Sequence, residues 1–434
     1  MRRTVAFQTL GCKVNQYDTD TVRQQFVQRG YSVVEFSESA DVYVINTCTV
    51  TNMSDRKSRQ MIRRAHRRSP RSQIVVMGCF SQTSPSEAAA LPGVSLVLGT
   101  QNRGAVVDLL EELEVGSALC RVGDVLDAPD FEDLPAVHSA ERTRAFLKVQ
   151  DGCSQFCSYC RVPYARGPSR SRTPASVMAQ VETLTAQEYK EIVLTGVHLG
   201  AYGQDLAEPW DLAKMVEVVC RQPGFQRLRL SSIEPNEVTD RLLTLLAEEP
   251  KVCRHLHVPL QSGSSSILKA MGRTYDREAF RRILSQARNR VEGLAVTSDV
   301  IVGFPGERES DFEETMTFVE EMSFSQLHVF RFSPRSGTSA ARMPNPVASA
   351  VKESRSERLM ELSQRMALRF REALFGQTVD VLIEESCAER GVGYSDNYVR
   401  VHVSGKDLAV GGVYSVNITS ANAEKVEGIL RSSV

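Results

Sequence analysis

Three cysteines, Cys153, Cys157 and Cys160, stand in the segment QDGCSQFCSYCRV with the spacing C-x3-C-x2-C. Thiolates this close in sequence converge on a metal centre when the backbone loops around it, and Gly152 just ahead permits a tight approach. A structural zinc site closes its shell with a fourth Cys or His. The residues Arg161 to Arg172 contain neither. Three protein ligands on a 4Fe-4S cube leave one iron open, which can take the amino and carboxylate groups of a small molecule. A second set, Cys12, Cys48 and Cys79, is dispersed, yet VAFQTLGC, VYVINTC and IVVMGC each place one cysteine just beyond an apolar run. In a parallel sheet the carboxyl ends of neighbouring strands lie together, so these three thiols can meet. Ordinary core packing is the other reading of free buried cysteines. Cys120, Cys220, Cys253 and Cys387 share no such context.

The elements that must position these groups follow from periodicity. Over residues 1–120, β-branched runs alternate with helical patterns around Val14 to Arg29 and Ser54 to Arg68, and an acidic helical stretch, VVDLLEELEV, closes the region. That alternation predicts an α/β domain with a parallel sheet. Residues 121–141 are rich in Asp and Pro and read as a linker. Residues 142–374 offer six strand candidates, FLKVQ, EIVLTG, RLRLSS, HLHVPL, VTSDVIVG and QLHVFRF, each followed by a helical stretch. Six βα units predict a partial (β/α)6 barrel with its site at the carboxyl ends of the strands. An amphipathic helix is expected from about Ala348 to Leu374. Residues 375–434 change to short alternating strands without helices, which predicts a small β-barrel.

The chain has 434 residues, 52 Lys plus Arg and 53 Asp plus Glu. Near-neutrality excludes bulk attraction to nucleic acid or to anionic membrane, so any basic surface is local. No run of about 18 apolar residues occurs, and the start leads directly into a strand pattern, so a cytoplasmic protein without a membrane span is expected. The local excess is DRKSRQMIRRAHRRSPR, from Asp55 to Arg71, with eight Lys or Arg. It reads as a solvated helix face or as an RNA-binding face carrying Arg63 and Arg67. Arg166, Arg170 and Arg172 follow the compact cysteine set and are candidates for phosphate contacts at a site mouth. In NYVRVHV, Val399, Val401 and Val403 alternate with Tyr398, Arg400 and His402, which places the latter three on the outer face, where they can stack on bases or remain merely exposed.

The compact set, with Tyr159 just before its last cysteine, resembles the radical S-adenosylmethionine superfamily. The resemblance implies that Cys153, Cys157 and Cys160 hold a 4Fe-4S cluster and that Tyr159 lies against the adenine of the cofactor. It further implies cleavage of the sulfonium to a 5'-deoxyadenosyl radical. Further cofactor contacts are expected at strand ends, at Gly196, His198, Ser232, Glu234, Gln261, Ser262, Asp299 and Gly303.

Both cysteine sets together, with TLGCKVNQYDTD, INTCTVTNMSDRKSRQ, MGCFSQ, LTGVHLGAYG, RLSSIEP, HVPLQSGSSSILKAMGRTY and SDVIVGFPGE, resemble the methylthiotransferase family over essentially the whole chain. GCKVNQYD, the VTN after Cys48, FCSYC and TGVHLGAYG look most like the branch acting on N6-threonylcarbamoyladenosine at position 37 of tRNA. The isopentenyladenosine branch usually has Gln-Met at Lys13-Val14, and the ribosomal-protein branch Pro-Lys. Ser339 stands where that family commonly has Pro, and Arg161 where it frequently has an aliphatic residue. The resemblance implies a second 4Fe-4S cluster on Cys12, Cys48 and Cys79 that carries the sulfur, S-adenosylmethionine as methyl and radical source, and a tRNA substrate. It also implies an electron donor such as flavodoxin or ferredoxin, and a TRAM-like RNA-binding barrel at the end. The alternatives are another acceptor, in isopentenyladenosine tRNA or a ribosomal protein, and a non-catalytic zinc-binding RNA-recognition protein.

Overall fold

The computed structural model describes residues 2–114, 116–127, 130–135 and 142–431. Near-continuous apolar runs form six strands, β1 (Thr4–Thr9), β2 (Ser32–Val34), β3 (Val42–Thr47), β4 (Gln73–Gly78), β5 (Val94–Leu98) and β6 (Leu119–Arg121). They pair entirely in parallel in the order β2-β1-β3-β4-β5-β6. Such runs suit strands buried on both faces. Val5, Phe7, Val44 and Val75 pack with Val22 and Phe26 of helix α1 (Lys13–Gln28), while Ala6, Tyr43, Ile45 and Ile74 pack with Ile62 and Ala65 of helix α2 (Asn52–Arg68). The side chain of Thr51 accepts from the Ser54 amide and caps α2. The expected acidic helix is shorter than its pattern and ends at Glu111.

The six central strand candidates form β7 (Arg144–Lys148), β10 (Glu191–Thr195), β11 (Arg227–Leu230), β12 (His255–His257), β13 (Ala295–Val302) and β14 (Gln326–Arg331). A short antiparallel pair, β8 (Gln150–Asp151) and β9 (Arg170–Ser171), brackets the compact cysteine loop. The six form two parallel three-stranded sets, joined by the bridges Leu228 to Val252 and Ser232 to His257. Alternate residues such as Ala145, Leu147, Ile192, Leu194, Leu228 and Val300 enter the apolar layer beneath the helices. The intervening positions, Arg144, Lys148, Glu191, Arg229, His255, His257, Thr297 and Asp299, therefore face the lumen.

The helix Ser349–Glu372 leads to β15 (Thr378–Cys387), β16 (Arg390–Ser395), β17 (Arg400–Ser404), β18 (Val413–Ala421) and β19 (Val426–Leu430). These close as a barrel in the order β15-β16-β17-β19-β18 around Val381, Val401, Val403 and Val416. The barrel covers the amino-terminal mouth of the central lumen. Arg229 donates to the carbonyls of Asp396 at 2.9 Å and Ser395 at 3.1 Å, and Glu191 holds Arg229 at 2.8 Å and Arg227 at 3.0 Å. Tyr398 corrects the sequence expectation. It sits in the turn before β17 with φ of 66°, stacks on His255 at 4.8 Å and Tyr394 at 5.2 Å, and so faces inward. Arg400 and His402 are exposed as expected.

Of the linker, residues 128, 129 and 136–141 lie outside the described residues. Its segment 130–135 packs into the seam between the first two units. Glu132 pairs with Arg103 at 2.7 Å, and the Leu134 carbonyl accepts from the Tyr17 hydroxyl at 2.7 Å. Among the described residues no helix is long and apolar enough to cross a membrane.

Candidate active site

Cys12, Cys48 and Cys79 stand just past β1, β3 and β4, at the carboxyl edge of one parallel sheet where its order reverses between β1 and β3. Ligands bind at such a switch point in open α/β sheets. Asn15 ties the edge together, donating to the carbonyls of Leu10 at 2.7 Å and Thr47 at 3.0 Å. Gly11 has φ of 104° and passes so close to Cys48 that a Cβ there would lie 3.1 Å from its sulfur. Burial pushes the Cys48 thiol up and the Cys79 thiol up to about 12, the latter against the pull of the Arg166 guanidinium. Cys12 and Cys48 both act electrostatically on Cys79, so the dispersed set is gathered in space.

The loop of Cys153, Cys157 and Cys160 begins at Gly152, whose φ is 77° and where a Cβ would fall 1.8 Å from the Pro168 carbonyl oxygen. Each sulfur meets a polar neighbour. The Gln155 amide donates to Cys153 at 3.5 Å, the Val162 amide to Cys160 at 3.4 Å, and Arg273 to Cys157 at 3.3 Å. Burial pushes Cys157 up and Cys160 up to about 12. Donors aimed at sulfur suit cluster-bound thiolates.

All ten cysteines are free thiols. Neither triad brings its ligand atoms within the 4.8 Å that would surround a single ion; among the described residues that spacing occurs for His257, Asp299 and His328. Sulfurs on separate iron corners of a cube need not approach one another as closely as the ligands of one zinc ion.

Beside Cys160 lies a cavity of about 170 Å³, lined from one side by Val50 and Thr51, which follow Cys48 in sequence, and from the other by Tyr159, Cys160, Arg161, Gln261, Asp299, Ile301 and Phe330. Gln261 and Asp299 interlock, the Gln261 amide donating to the Asp299 carbonyl at 2.8 Å. The Asp299 carboxylate is bracketed by His257 at 3.3 Å and His328 at 3.0 Å, whose hydrogen bonds hold it well below the usual carboxylate range although burial opposes them. Gly196 and Glu234 do not line this cavity. Gly196 backs onto Gln150, and Glu234 pairs with Arg273, the same guanidinium that reaches Cys157 and, at 3.4 Å, the Tyr159 hydroxyl.

Three contacting residues lacked a readable signal or were read less fully. Arg273 sits in the quoted GRTY, but its partners Cys157 and Glu234 are remote in sequence. His198 lies 3.7 Å from the Cys153 sulfur and 2.6 Å from Glu237; burial lowers its pKa, but these two partners raise it to about 10. Arg335 reaches across to the segment after Cys48, bonding Thr49 at 2.7 Å and Asp55 at 2.5 Å.

Arg166 and Arg170 correct the expectation of phosphate contacts. Arg166 is 1% and Arg170 6% exposed, and both guanidinia are spent internally. Arg166 bonds Asp151 at 2.8 Å, Asp18 at 2.9 Å and Asn15 at 2.6 Å, while Arg170 donates to the Arg166 carbonyl at 2.6 Å. Arg172, equally buried, bonds the Tyr17 hydroxyl at 3.0 Å. Arg63 and Arg67 remain exposed on α2, with Arg56, Lys57 and Arg64 beside them.

Two family models match the chain, Uncharacterized protein family UPF0004 over residues 4–99 and the Radical SAM superfamily over residues 147–319. The chain is 45% identical to the threonylcarbamoyladenosine tRNA methylthiotransferase MtaB of Bacillus subtilis, covering 98% of this chain and 96% of that protein. It is 37% identical to the tRNA-2-methylthio-N(6)-dimethylallyladenosine synthase of Moorella thermoacetica, covering 88% of this chain and 87% of that one. In fold it is similar to the radical S-adenosylmethionine methyltransferase TsrM of Kitasatospora setae, solved with cobalamin and a [4Fe-4S] cluster. The TM-score is 0.58 at 17% identity, covering 79% of this chain and 74% of that one. With two relatives matched along nearly their full lengths, two cysteine triads and a six-stranded partial barrel, the chain belongs to the radical S-adenosylmethionine methylthiotransferase family.

Proposed function

We propose that this protein converts N6-threonylcarbamoyladenosine at position 37 of tRNA into its 2-methylthio derivative, in the cytoplasm, with reducing equivalents from a small electron carrier such as flavodoxin or ferredoxin. The observation that carries the reading is the cavity that Tyr159 and Cys160 of the compact triad line together with Val50 and Thr51, which follow Cys48 in sequence. Two 4Fe-4S clusters and S-adenosylmethionine supply the sulfur, the methyl group and the radical chemistry when bound.

The protein residues bind, orient and shield. Cys153, Cys157 and Cys160 would hold one cluster, with Arg273 and the two loop amides donating to the cysteine sulfurs. Cys12, Cys48 and Cys79 would hold the other. Tyr159, Gln261 and Asp299 line the side of the cavity that would take the cofactor, where the carboxylate of Asp299, fixed by two imidazoles, would be an acceptor for ribose hydroxyls. Glu234 supports this side indirectly, by holding Arg273. The clasp of Arg335 on Thr49 and Asp55 ties the central unit to the segment after Cys48 and so helps to set the distance between the triads. Exposed Arg63 and Arg67 on α2 and Arg400 on the TRAM-like barrel attract the RNA backbone.

The test is mass spectrometry of tRNA nucleosides from cells with and without the protein. Loss of the methylthio form of threonylcarbamoyladenosine is expected, with its precursor accumulating. An unchanged level, or loss of methylthio-isopentenyladenosine instead, overturns the assignment.

A further inference from the structure

Arg273 stands on the turn that follows the helix Ser265–Ala270, and that turn is fastened to the compact cysteine loop. Ser158, between Cys157 and Tyr159, donates its amide to the Met271 carbonyl and its hydroxyl to the Ala270 carbonyl, both at 2.9 Å. Gly272, with φ of 73°, then carries the chain so close to the loop that a Cβ there would lie 3.9 Å from the Cys157 Cα. The side chain of Arg273 therefore starts from a point fixed relative to the three cysteines.

Its guanidinium is fixed as well. Nη1 donates to the Cys157 sulfur at 3.3 Å and to the Tyr159 hydroxyl at 3.4 Å, Nε donates to the Tyr275 hydroxyl at 3.1 Å, and Nη2 pairs with Glu234. The Tyr275 hydroxyl in turn donates to the Pro259 carbonyl at 2.6 Å, and its ring lies 4.9 Å from the guanidinium carbon. With its three nitrogens engaged, a rigid fork that never loses its charge is held against one sulfur. The side chain is 4% exposed, so little water screens it. Among the described residues Glu234 is the one carboxylate paired with it.

We infer that Arg273 raises the reduction potential of the cluster that Cys153, Cys157 and Cys160 would hold, acting through the Cys157 sulfur, and that Glu234 limits the rise. This rests on the cluster assignment given above and adds the device that tunes it. Reduction adds one electron, taken from a carrier of the flavodoxin or ferredoxin class that is itself oxidised by one, and no bond breaks. The added negative charge spreads onto the thiolates. A donor locked on a thiolate therefore stabilises the reduced form more than the oxidised one, and most where water is excluded. A carboxylate nearby acts in the opposite sense. Arg273 and Glu234 thus carry opposite effects although they form one ion pair.

The experiment is a potentiometric titration, followed by electron paramagnetic resonance, of the reconstituted two-cluster enzyme as wild type, Arg273→Met, Arg273→Lys and Glu234→Gln. In wild type the signal that changes on adding S-adenosylmethionine marks the compact-triad cluster, and the other signal is the internal control. Arg273→Met is expected to make that cluster harder to reduce by roughly tenfold, a midpoint lower by about 59 mV for one electron. Arg273→Lys should recover part of the difference, and Glu234→Gln should move the midpoint upward. The control midpoint should stay in place in all three. Breaking the ion pair is common to Arg273→Met and Glu234→Gln, so a merely structural role would shift both midpoints in one direction, and that result overturns the inference. An unmoved midpoint in Arg273→Met with full iron content overturns it too. If Arg273→Met fails to hold the cluster, Glu234→Gln decides alone, and a midpoint that does not rise overturns the inference. Wild-type protein without iron and sulfide on the compact triad sinks the cluster reading itself, a result distinct from the others.

Discussion

Arg166, six residues beyond Cys160, donates to Asp18, six residues beyond Cys12, at 2.9 Å in a seam where both side chains are excluded from solvent. The same guanidinium reaches Asp151, two residues before Cys153, at 2.8 Å and acts on the Cys79 thiol. Arg103 and Lys148 complete the group, at 2.5 Å and 2.7 Å from Asp18. Three cations on two carboxylates thus bind the segment after one triad to segments flanking the other, so the spacing of the two triads depends on a buried ionic cluster rather than on apolar contact alone.

Removing Arg166 therefore has a stated cost. Arg166→Met leaves Asp18 and Asp151 short of a partner, and breaking a buried pair in this way costs about 3–5 kcal/mol. The expected outcome is a fall in Tm with reduced iron on the first-domain triad, while the salt dependence of tRNA binding is unchanged because Arg166 meets no phosphate. A normal Tm together with a shallower salt dependence would return Arg166 to the RNA surface.

RNA contacts belong to residues that the fold leaves exposed. Arg63→Glu with Arg67→Glu is expected to weaken tRNA binding and to make the plot of log affinity against log salt shallower by about two units or more, at roughly one per lost phosphate contact. Arg400→Glu should act in the same direction. Tyr398→Ala should instead lower stability, since its ring fills the mouth of the lumen against His255 and Arg229. Deleting the whole barrel does not isolate an RNA role, because it strips Arg229 of two carbonyl partners. An unchanged salt dependence in the double α2 variant would leave that helix as a merely solvated face.

Both triads were legible because each depends on a local pattern. One is a compact spacing, and the other is three repeats of a strand ending in cysteine. The six central strands were legible for a similar reason, as apolar residues alternate with the polar ones that line the lumen. Partnership across the chain was not. Arg166 reads locally as a basic residue near a site, and only folding brings Asp18 to it across 148 residues of sequence. Tyr398 fits the alternation of the following strand, yet its positive φ puts it in the preceding turn, which reverses the direction of the ring. Arg273 and Arg335 carry no spacing signal, since each acts on segments brought near by the topology.

The two triads should fail in different ways when removed. Cys153, Cys157 and Cys160 lie on the loop that also carries Tyr159 and faces Gln261 and Asp299, the side of the cavity assigned to S-adenosylmethionine. Cys12, Cys48 and Cys79 sit at the carboxyl edge of a different sheet. Replacing the first-domain triad by Ala is expected to leave about half the iron, since one of two clusters remains, and to retain 5'-deoxyadenosine formation on reduction. Replacing the central triad should also leave one cluster but abolish 5'-deoxyadenosine, because the remaining site has no Tyr159, Gln261 or Asp299 around it. Neither variant should methylthiolate tRNA. Iron and sulfide analysis, 5'-deoxyadenosine assay and nucleoside mass spectrometry on the same anaerobic preparations make the comparison. Full iron content and normal product from the first-domain variant would reduce Cys12, Cys48 and Cys79 to packing residues, and zinc without sulfide in the unaltered protein would remove the cluster chemistry altogether.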